Sequence, residues 1–407
     1  MRSASSLSGD PLAASASQLL ESLKHRRERL VLITTGGGSL AIPALLMVPG
    51  ASAGVQEALV PYARETVDAL LGGPQESYCS SRVARRLAMT AWERGRRDLP
   101  PDPSFAIGAA CTASLATVAT KRGEHRIVIA VQSLASTSVA TLPLRKGERS
   151  RQAEELLAAA LLLDRLSSHT AAPSSLASPA ALFSSIAAAM LLPGETVAVD
   201  VQDAPLAWQE LFLGTRRAVY MPGQAMVARS MAAEGRVIFP GSFDPLHDGH
   251  RRMAAIARQI TGLPVEWELS VRNVDKPPLD FLEIALRTAQ LAEEPVWLTA
   301  AATYLEKLEL FPGAWFILGG DTVLRLGDAR YYGGSKERAD QAVRRIAQMA
   351  GGLVVFGRVR DGVFTDPAAL AIPEPLRSIC RFIPEAEFRD DVSSTQLRSV
   401  LGSGAEG

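Results

Sequence analysis

The stretch VIFPGSFDPLHDGH, residues 237–250, decides how the carboxy-terminal part of the chain folds. Residues 236–239 hold a short apolar run of the kind that makes a buried strand. Gly241 permits a sharp turn, and Asp248-Gly249-His250 opens a helix. Strand, glycine turn and helix start a βα unit. His247 and His250 stand three residues apart, so both imidazoles can face one point near the helix amino terminus. The dipole and unpaired N–H groups there favour a bound phosphate, and Gly249 lets the backbone approach an anion. The same HxxH pattern also suits a metal, for which Asp244 or Asp248 offers a third ligand.

Beyond this stretch, strands are predicted at 265–270, 296–299, 315–318, 353–356 and around Ile383, with helical segments between them. Such alternation implies a parallel, doubly wound sheet whose ligand sits where the strand order reverses. Near the carboxyl end, VSSTQLR (392–398) places three hydroxyls at a helix start. That pattern is a helix cap by itself, and an anion nest when paired with a phosphate site. Arg398 lies one turn in, where its guanidinium can fork onto phosphate oxygens.

The first half is organised differently. Residues 1–18 read as a disordered tail. A short apolar run at 30–34 breaks into Gly36-Gly37-Gly38-Ser39 and a helix, the opening of another βα unit. Strands are predicted at 105–110, 127–131 and 138–143, and helices at 80–97 and 149–167. Residues 167–180 have the Ser, Pro and Ala content of a linker. Strands at 196–201 and 217–221 then flank a helix at 205–213. The predicted organisation is a tail (1–18), an α/β domain (19–166), a linker with a small connecting piece (167–234) and a second α/β domain (235–407). Whether 182–234 extends a neighbour stays open.

Composition limits the classes available. Lys+Arg and Asp+Glu both number 43, and this balance argues against a nucleic-acid partner. Cys79, Cys111 and Cys380 lack metal-ligand spacing, as expected of thiols in a reducing compartment. No apolar run reaches the roughly 18 residues that span a bilayer. The first twenty residues lack the pattern of a secretory signal. A cytoplasmic protein without a membrane partner is the expectation.

GSFDPLHDGH (241–250) resembles the histidine-glycine-histidine signature of the nucleotidyltransferase superfamily, and SSTQLR (393–398) resembles its second signature. The likeness covers roughly 236–402 and includes the nicotinate/nicotinamide mononucleotide adenylyltransferases and the pantetheine-phosphate adenylyltransferases. It implies a Rossmann-like doubly wound domain that binds ATP, with Mg²⁺ bridging the phosphates. His247 and His250 would stabilise the α-phosphate, and Ser394, Thr395 and Arg398 would hold the β- and γ-phosphates. Gly241, Ser242, Phe243 and Gly249 would line the nucleotide site.

VRNVDKPPL (271–279) resembles the family's acceptor-side loop. It implies that Lys276 meets the phosphate of the acceptor, with Arg287 behind it. FILGGDT (316–322) resembles the glycine/aspartate turn of the mononucleotide branch, where Asp321 would accept hydrogen bonds from the nucleotide. The tryptophan usual after that turn is replaced by GDARYY (327–332). The favoured acceptor is nicotinate or nicotinamide mononucleotide. A pantetheine-phosphate or other cytidylyl/adenylyl transfer is the alternative reaction, and a regulatory nucleotide-binding protein the alternative class.

VPGAS (48–52), with Leu70-Leu71-Gly72, Gly123, Arg149 and Arg151, resembles the nicotinamide mononucleotide deamidase domain of the competence-damage-inducible family, over about 20–166. Ser52 and Thr35 mark its vestigial site. The activating lysine of that family falls on Val67, and its glycine-rich phosphate loop becomes Thr112-Ala113-Ser114-Leu115-Ala116. A serine needs a base or an activating cation to cleave an amide. The expectation is therefore a degenerate deamidase-like α/β domain that serves as a scaffold or in self-association.

Overall fold

The computed structural model describes residues 11–97, 105–118, 123–170, 186–223, 225–227, 229–231, 235–360, 363–390 and 397. They fall into two units. The first comprises the described residues up to Gln209 together with Asp275–Leu282. The second comprises Glu210–Val274 together with the described residues from Glu283 onward.

The first unit is a sheet between helices. Its strands are β1 (Arg29–Thr34), β2 (Val55–Leu59), β3 (Ala106–Ser114), β4 (His125–Gln132), β5 (Ser136–Leu144) and β6 (Ala198–Asp203), in the order β2-β1-β3-β4-β5-β6. β2, β1 and β3 run parallel, and the pairings from β3 to β6 are antiparallel. Alternation along the strands divides the core. Leu30, Leu32, Ile107, Ile127 and Ile129 face α1 (Pro11–His25), α2 (Ala41–Leu46) and α5 (Arg151–Thr170). Val31, Ile33, Val128 and Ala130 face α3 (Arg64–Leu71) and α4 (Ser81–Arg97).

Two expectations are corrected here. The predicted tail 1–18 is helix from Pro11 onward, while residues 1–10 lie outside the described residues. Leu12, Ala16, Leu19, Leu20 and Leu23 fall on one helical stripe and are all buried. Each leucine so buried contributes about 1.5–3 kcal/mol, enough to order a Ser/Ala-rich segment that composition alone marks as disordered. The connecting piece 167–234 is not a separate body. β6 completes the first sheet, whereas β7 (Ala218–Pro222) is the edge of the second. The chain passes from one unit to the other within α6 (Leu206–Leu213).

The second unit has strand order β15-β12-β11-β8-β9-β10-β7. Its strands are β8 (Val237–Pro240), β9 (Val265–Ser270), β10 (Pro295–Thr299), β11 (Trp315–Gly319), β12 (Gly352–Phe356) and β15 (Cys380–Ile383). A two-stranded hairpin, β13 (Arg358–Arg360) with β14 (Val363–Thr365), lies outside that sheet. All pairings are parallel except that of β7, whose strand runs antiparallel to β10. The helices are α7 (Asp248–Thr261), α8 (Phe281–Ala289), α9 (Tyr304–Leu310), α10 (Gly320–Arg325) and α11 (Lys336–Met349). The chain moves outward from β8 through β9 to β10, then returns to lay β11 on the other side of β8. The order reverses at β8/β11, which puts a ligand crevice at the carboxyl ends of those two strands.

β9 carries an unusual load. Trp267 and Leu269 face one side, while Glu266 and Glu268, both buried, face the other. Glu268 receives Lys307 Nζ at 2.7 and 2.8 Å, and Glu266 receives Trp297 Nε1 at 2.7 Å and Arg236 at 3.2 Å. A buried carboxylate stripped of such a cation costs about 3–5 kcal/mol, so these pairs fix how β9, β10 and α9 assemble.

Candidate active site

Turn 241–247 leaves the carboxyl end of β8 and delivers His247 as the extended residue capping α7. The backbone N–H of His247 donates to Nδ1 of His250 at 3.3 Å, and the two rings lie 3.8 Å apart between centroids. With Nδ1 acting as acceptor, the neutral His250 ring carries its proton on Nε2. The ring is thereby oriented as a neutral N–H donor. Burial, aided by the neighbouring His247, pushes the His250 pKa down to about 4. Phe243 and Phe239 pack against the same ring, with centroids at 5.4 and 6.1 Å, and Trp267 backs both phenylalanines.

The turn is held from α8. Arg287, almost wholly buried, donates to the carbonyl of Ser242 at 2.8 Å and lies 3.4 Å from Asp244. Glu283 one helical turn earlier accepts from the same guanidinium at 2.7 Å. Gln290 accepts from the N–H of Leu246 at 2.8 Å and donates to the carbonyl of Phe243 at 3.2 Å. These anchors matter because Phe243 has φ +46°, a left-handed conformation that is strained for a bulky side chain. Gly241 donates its N–H to the carbonyl of Glu268 at 3.0 Å, tying the turn to β9.

Arg287 was expected behind the acceptor-binding lysine, and in the structure its donors are committed to this turn. Lys276 is exposed and belongs to the segment of the first unit, Asp275–Leu282. Asp321, at the carboxyl end of β11, accepts from Arg358 at 2.8 Å. The second signature lies outside the described residues at Ser394, Thr395 and Arg398. The chain leading into it is described as far as Asp390. There a carboxylate oxygen stands 3.6 Å from Nδ1 of His247, which has no hydrogen-bond partner among the described residues. A Cβ on Gly249 would lie 1.5 Å from that oxygen, so only glycine admits Asp390 at this point. Arg252 stacks over Phe388 at 5.1 Å and donates to the carbonyl of Arg389, fixing the approach.

Asp390 and Gln290 are site residues that sequence reasoning missed. Gln290 follows Arg287 by three residues on the same helical face, a signal available in principle. Asp390 lies 143 residues beyond His247 and carried none. Among the described residues no three His, Cys, Asp or Glu side chains converge as a bound metal requires. The His247/His250 pair places an oriented imidazole donor at a helix start, a position that favours a bound anion.

In the first unit, Ser52 is exposed after Gly50 and opens on a cavity of about 690 Å³. The lining contains no lysine, arginine or histidine, and its one acid, Glu57, is bonded to Arg94 at 2.8 Å. Thr35 donates its N–H to the carbonyl of Cys111 at 3.0 Å, and Val67 is buried in the α3/α4 core. The glycine turn after β1 already holds an anion of its own. The Glu155 carboxylate accepts from the N–H groups of Gly38 and Leu40, both at 3.1 Å, and from the Ser39 hydroxyl at 2.9 Å. Arg151 bridges that carboxylate at 3.1 Å to the carbonyl of Gly36 at 3.2 Å. The adjacent Glu154 accepts from the N–H of Ala116 at 2.5 Å and pairs with His125 at 3.0 Å.

No helix among the described residues is long and apolar enough to cross a membrane. Among curated proteins no sequence relative matches the chain. Solved structures similar to its amino-terminal part come from the competence-damage group. One is the competence/damage-inducible protein CihA of Agrobacterium tumefaciens, 19% identical, covering 40% of this chain and 96% of that one at a TM-score of 0.33. Another is a CinA superfamily protein of Escherichia coli, 17% identical, covering 38% and 88% at 0.32. A third, from Enterobacter cloacae, is 14% identical and covers 42% and 99% at 0.34. The family model described as cytidylyltransferase-like matches residues 238–400, a span that opens on β8 and contains both signatures. Residues 238–400 thus match the cytidylyltransferase-like family model, which supports nucleotidyl transfer as the general chemistry of the carboxy-terminal unit.

Proposed function

We propose that the carboxy-terminal unit transfers the adenylyl group of ATP to the phosphate of nicotinate or nicotinamide mononucleotide. The observation that carries this reading is the His247/His250 pair at the start of α7, held at the carboxyl end of β8. An acceptor phosphate oxygen attacks the α-phosphorus, the bond to the bridging oxygen breaks, and pyrophosphate leaves. No enzyme nucleophile is needed, so catalysis rests on positioning and on charge stabilisation. Nε2–H of His250 donates to a non-bridging α-oxygen, and His247 shares that charge beside it. Ser394, Thr395 and Arg398 are assigned to the departing phosphates, Lys276 to the acceptor and Asp321 to the bound nucleotide. Mg²⁺ bound with the nucleotide would supply further charge neutralisation at its phosphates.

Pyrophosphate release from ATP and from CTP, across nicotinate mononucleotide, nicotinamide mononucleotide and phosphopantetheine, tests the reading. The mononucleotides with ATP are expected to turn over. His250→Ala should lower kcat by about 10²–10³, and Arg398→Ala should raise KM for ATP more than for the acceptor. Turnover with phosphopantetheine alone would reassign the acceptor, and none with any acceptor would leave a binding protein. The same reactions scored for ammonia should show none released from nicotinamide mononucleotide. Val67 supplies no cation, and Glu155 fills the glycine turn. Ammonia lost on Ser52→Ala would make the chain bifunctional.

A further inference from the structure

The first unit carries a second cavity, of about 760 Å³, that shares no lining residue with the one beside Ser52. Every residue lining it belongs to the first unit. Its floor follows from a change of residue type along β5. Toward the carboxyl end of that strand, the face under α5 carries Leu142 and Leu144, both buried in the core. Toward its start the same face carries Ser136 and Ser138, small polar residues that leave the sheet open there. Ser138 pairs with Val201 of β6, so Val201 and Val199 continue the floor. With Leu134 they make part of it apolar. A cavity of this size suits a small organic molecule.

The walls carry the charge. Arg165, Ser168 and His169 stand at spacings of three and four near the end of α5, on one helical face. Arg26 lines the cavity from the turn between α1 and β1. Burial, with the Arg26 guanidinium nearby, pushes the His169 pKa down to about 4, so at neutral pH its ring is an uncharged N–H donor. Each guanidinium has a carboxylate behind it and donors to spare. Arg26 gives Nε to Glu28 at 2.9 Å, and Arg165 gives Nε and Nη2 to Asp164 at 3.1 and 2.8 Å. Both carboxylates are nearly buried, whereas both guanidiniums reach solvent. Among the described residues, the two Nη atoms of Arg26, Nη1 of Arg165 and the hydroxyls of Ser136 and Ser138 have no hydrogen-bond partner. Glu28 is the one acid in the lining, and it is already paired. Unused guanidinium donors beside hydroxyls and an imidazole N–H match the oxygens of a tetrahedral anion.

We infer that this cavity binds a small molecule in which a phosphate or sulfate ester is carried on a compact apolar body. The oxyanion is held by Arg26, Arg165 and His169, and the body lies on Leu134, Val199 and Val201. The site is separate from the His247/His250 site and does not depend on the adenylyltransferase reading. It gives the deamidase-like unit a ligand that needs none of the deamidase chemistry.

The test uses the full-length chain at pH 7.5 with phenyl phosphate, phenyl sulfate, inorganic phosphate and phenol. Calorimetry reads binding, and the imidazole NMR signals of His169, identified among the five histidines by their loss in His169→Asn, report occupancy of this cavity. Phenyl phosphate or phenyl sulfate is expected to shift those signals and to bind about tenfold more tightly than inorganic phosphate, because the ring adds apolar contact. The tighter of the two identifies the ester. Phenol should leave the signals in place. Arg26→Gln, at a side chain 42% exposed, should melt close to wild type and weaken binding about tenfold. Ser138→Leu, which fills the floor, should abolish the His169 shift. Binding heat without any shift at His169 would place the anion elsewhere and overturn the site. Phenol binding as tightly as its esters, or ester binding unchanged in Arg26→Gln, would overturn the oxyanion assignment.

Discussion

At the scale of single residues, the proton on His250 is the most consequential. Folded, its pKa lies near 4 through burial and the adjacent His247, against an ordinary value of 6.5. Between those values the unfolded chain binds a proton that the folded chain refuses, so acidification favours unfolding. The stabilisation tied to a neutral His250 is complete above about pH 6.5 and is lost as pH falls toward 4. His169, also pushed down to about 4 by burial and by Arg26, acts in the same direction. Thermal melts from pH 7.5 to 4.5 should therefore decline more steeply for the wild type than for His250→Asn, which lacks the His250 contribution and keeps that of His169. Parallel declines would show that His250 titrates normally. The placement of this pair was readable beforehand, because HxxH after a glycine turn puts both imidazoles at a helix start. Asp390 was not, since its place beside His247 and over Gly249 depends on the return of β15 to the sheet. Gly249 illustrates the difference. Its lack of a side chain was anticipated as room for an anion, and the anion found there is the chain's own carboxylate.

At the scale of elements, periodicity located nearly every strand, and β9 and β11 begin and end within a residue of expectation. The failures share a cause. α1 was hidden because Ser and Ala content masked a leucine stripe that only tertiary burial makes decisive. β2 was not anticipated because VQEAL has no alternation to detect, and its middle residues are only half-buried. The turn after β1 was legible as the glycine turn of a βα unit, but not as a cradle filled by a carboxylate. Nothing in RQAEE announces that Glu155 will reach back 117 residues to the N–H of Gly38. Glu155→Ala should leave two backbone donors and a hydroxyl unpaired, costing about 1–3 kcal/mol of stability. Formate at tens of millimolar, being a small carboxylate, should restore part of that melting temperature in Glu155→Ala and have no comparable effect on the wild type. Equal responses of the two proteins would show that the cradle is not an anion site even when emptied.

For the whole molecule, fold class and the presence of two α/β units followed from strand and helix alternation, whereas their true division did not. The linker composition at 167–180 suggested a clean break, yet β6 beyond it completes the first sheet. The return of 275–282 to the first unit has no local signature at all, because DKPPLDFL reads as an ordinary surface loop. A chain ending at residue 234 keeps every strand of the first sheet and loses Asp280 and Phe281. It leaves the buried Arg85 without the Asp280 carboxylate that accepts from it at 2.6 Å, a loss of about 3–5 kcal/mol. Such a fragment is expected to melt well below the corresponding transition of the full chain, as read by calorimetry. A peptide spanning 275–282, added in trans, should raise it again. Equal melting temperatures would mean that the first unit is complete without the segment. The two halves of this gene are thus interlaced rather than placed end to end. During synthesis the first unit gains Asp280 and Phe281 only after residue 282 has left the ribosome. No single cut in the chain yields two intact parts, so mutation or recombination could not easily divide this fusion again into separate proteins.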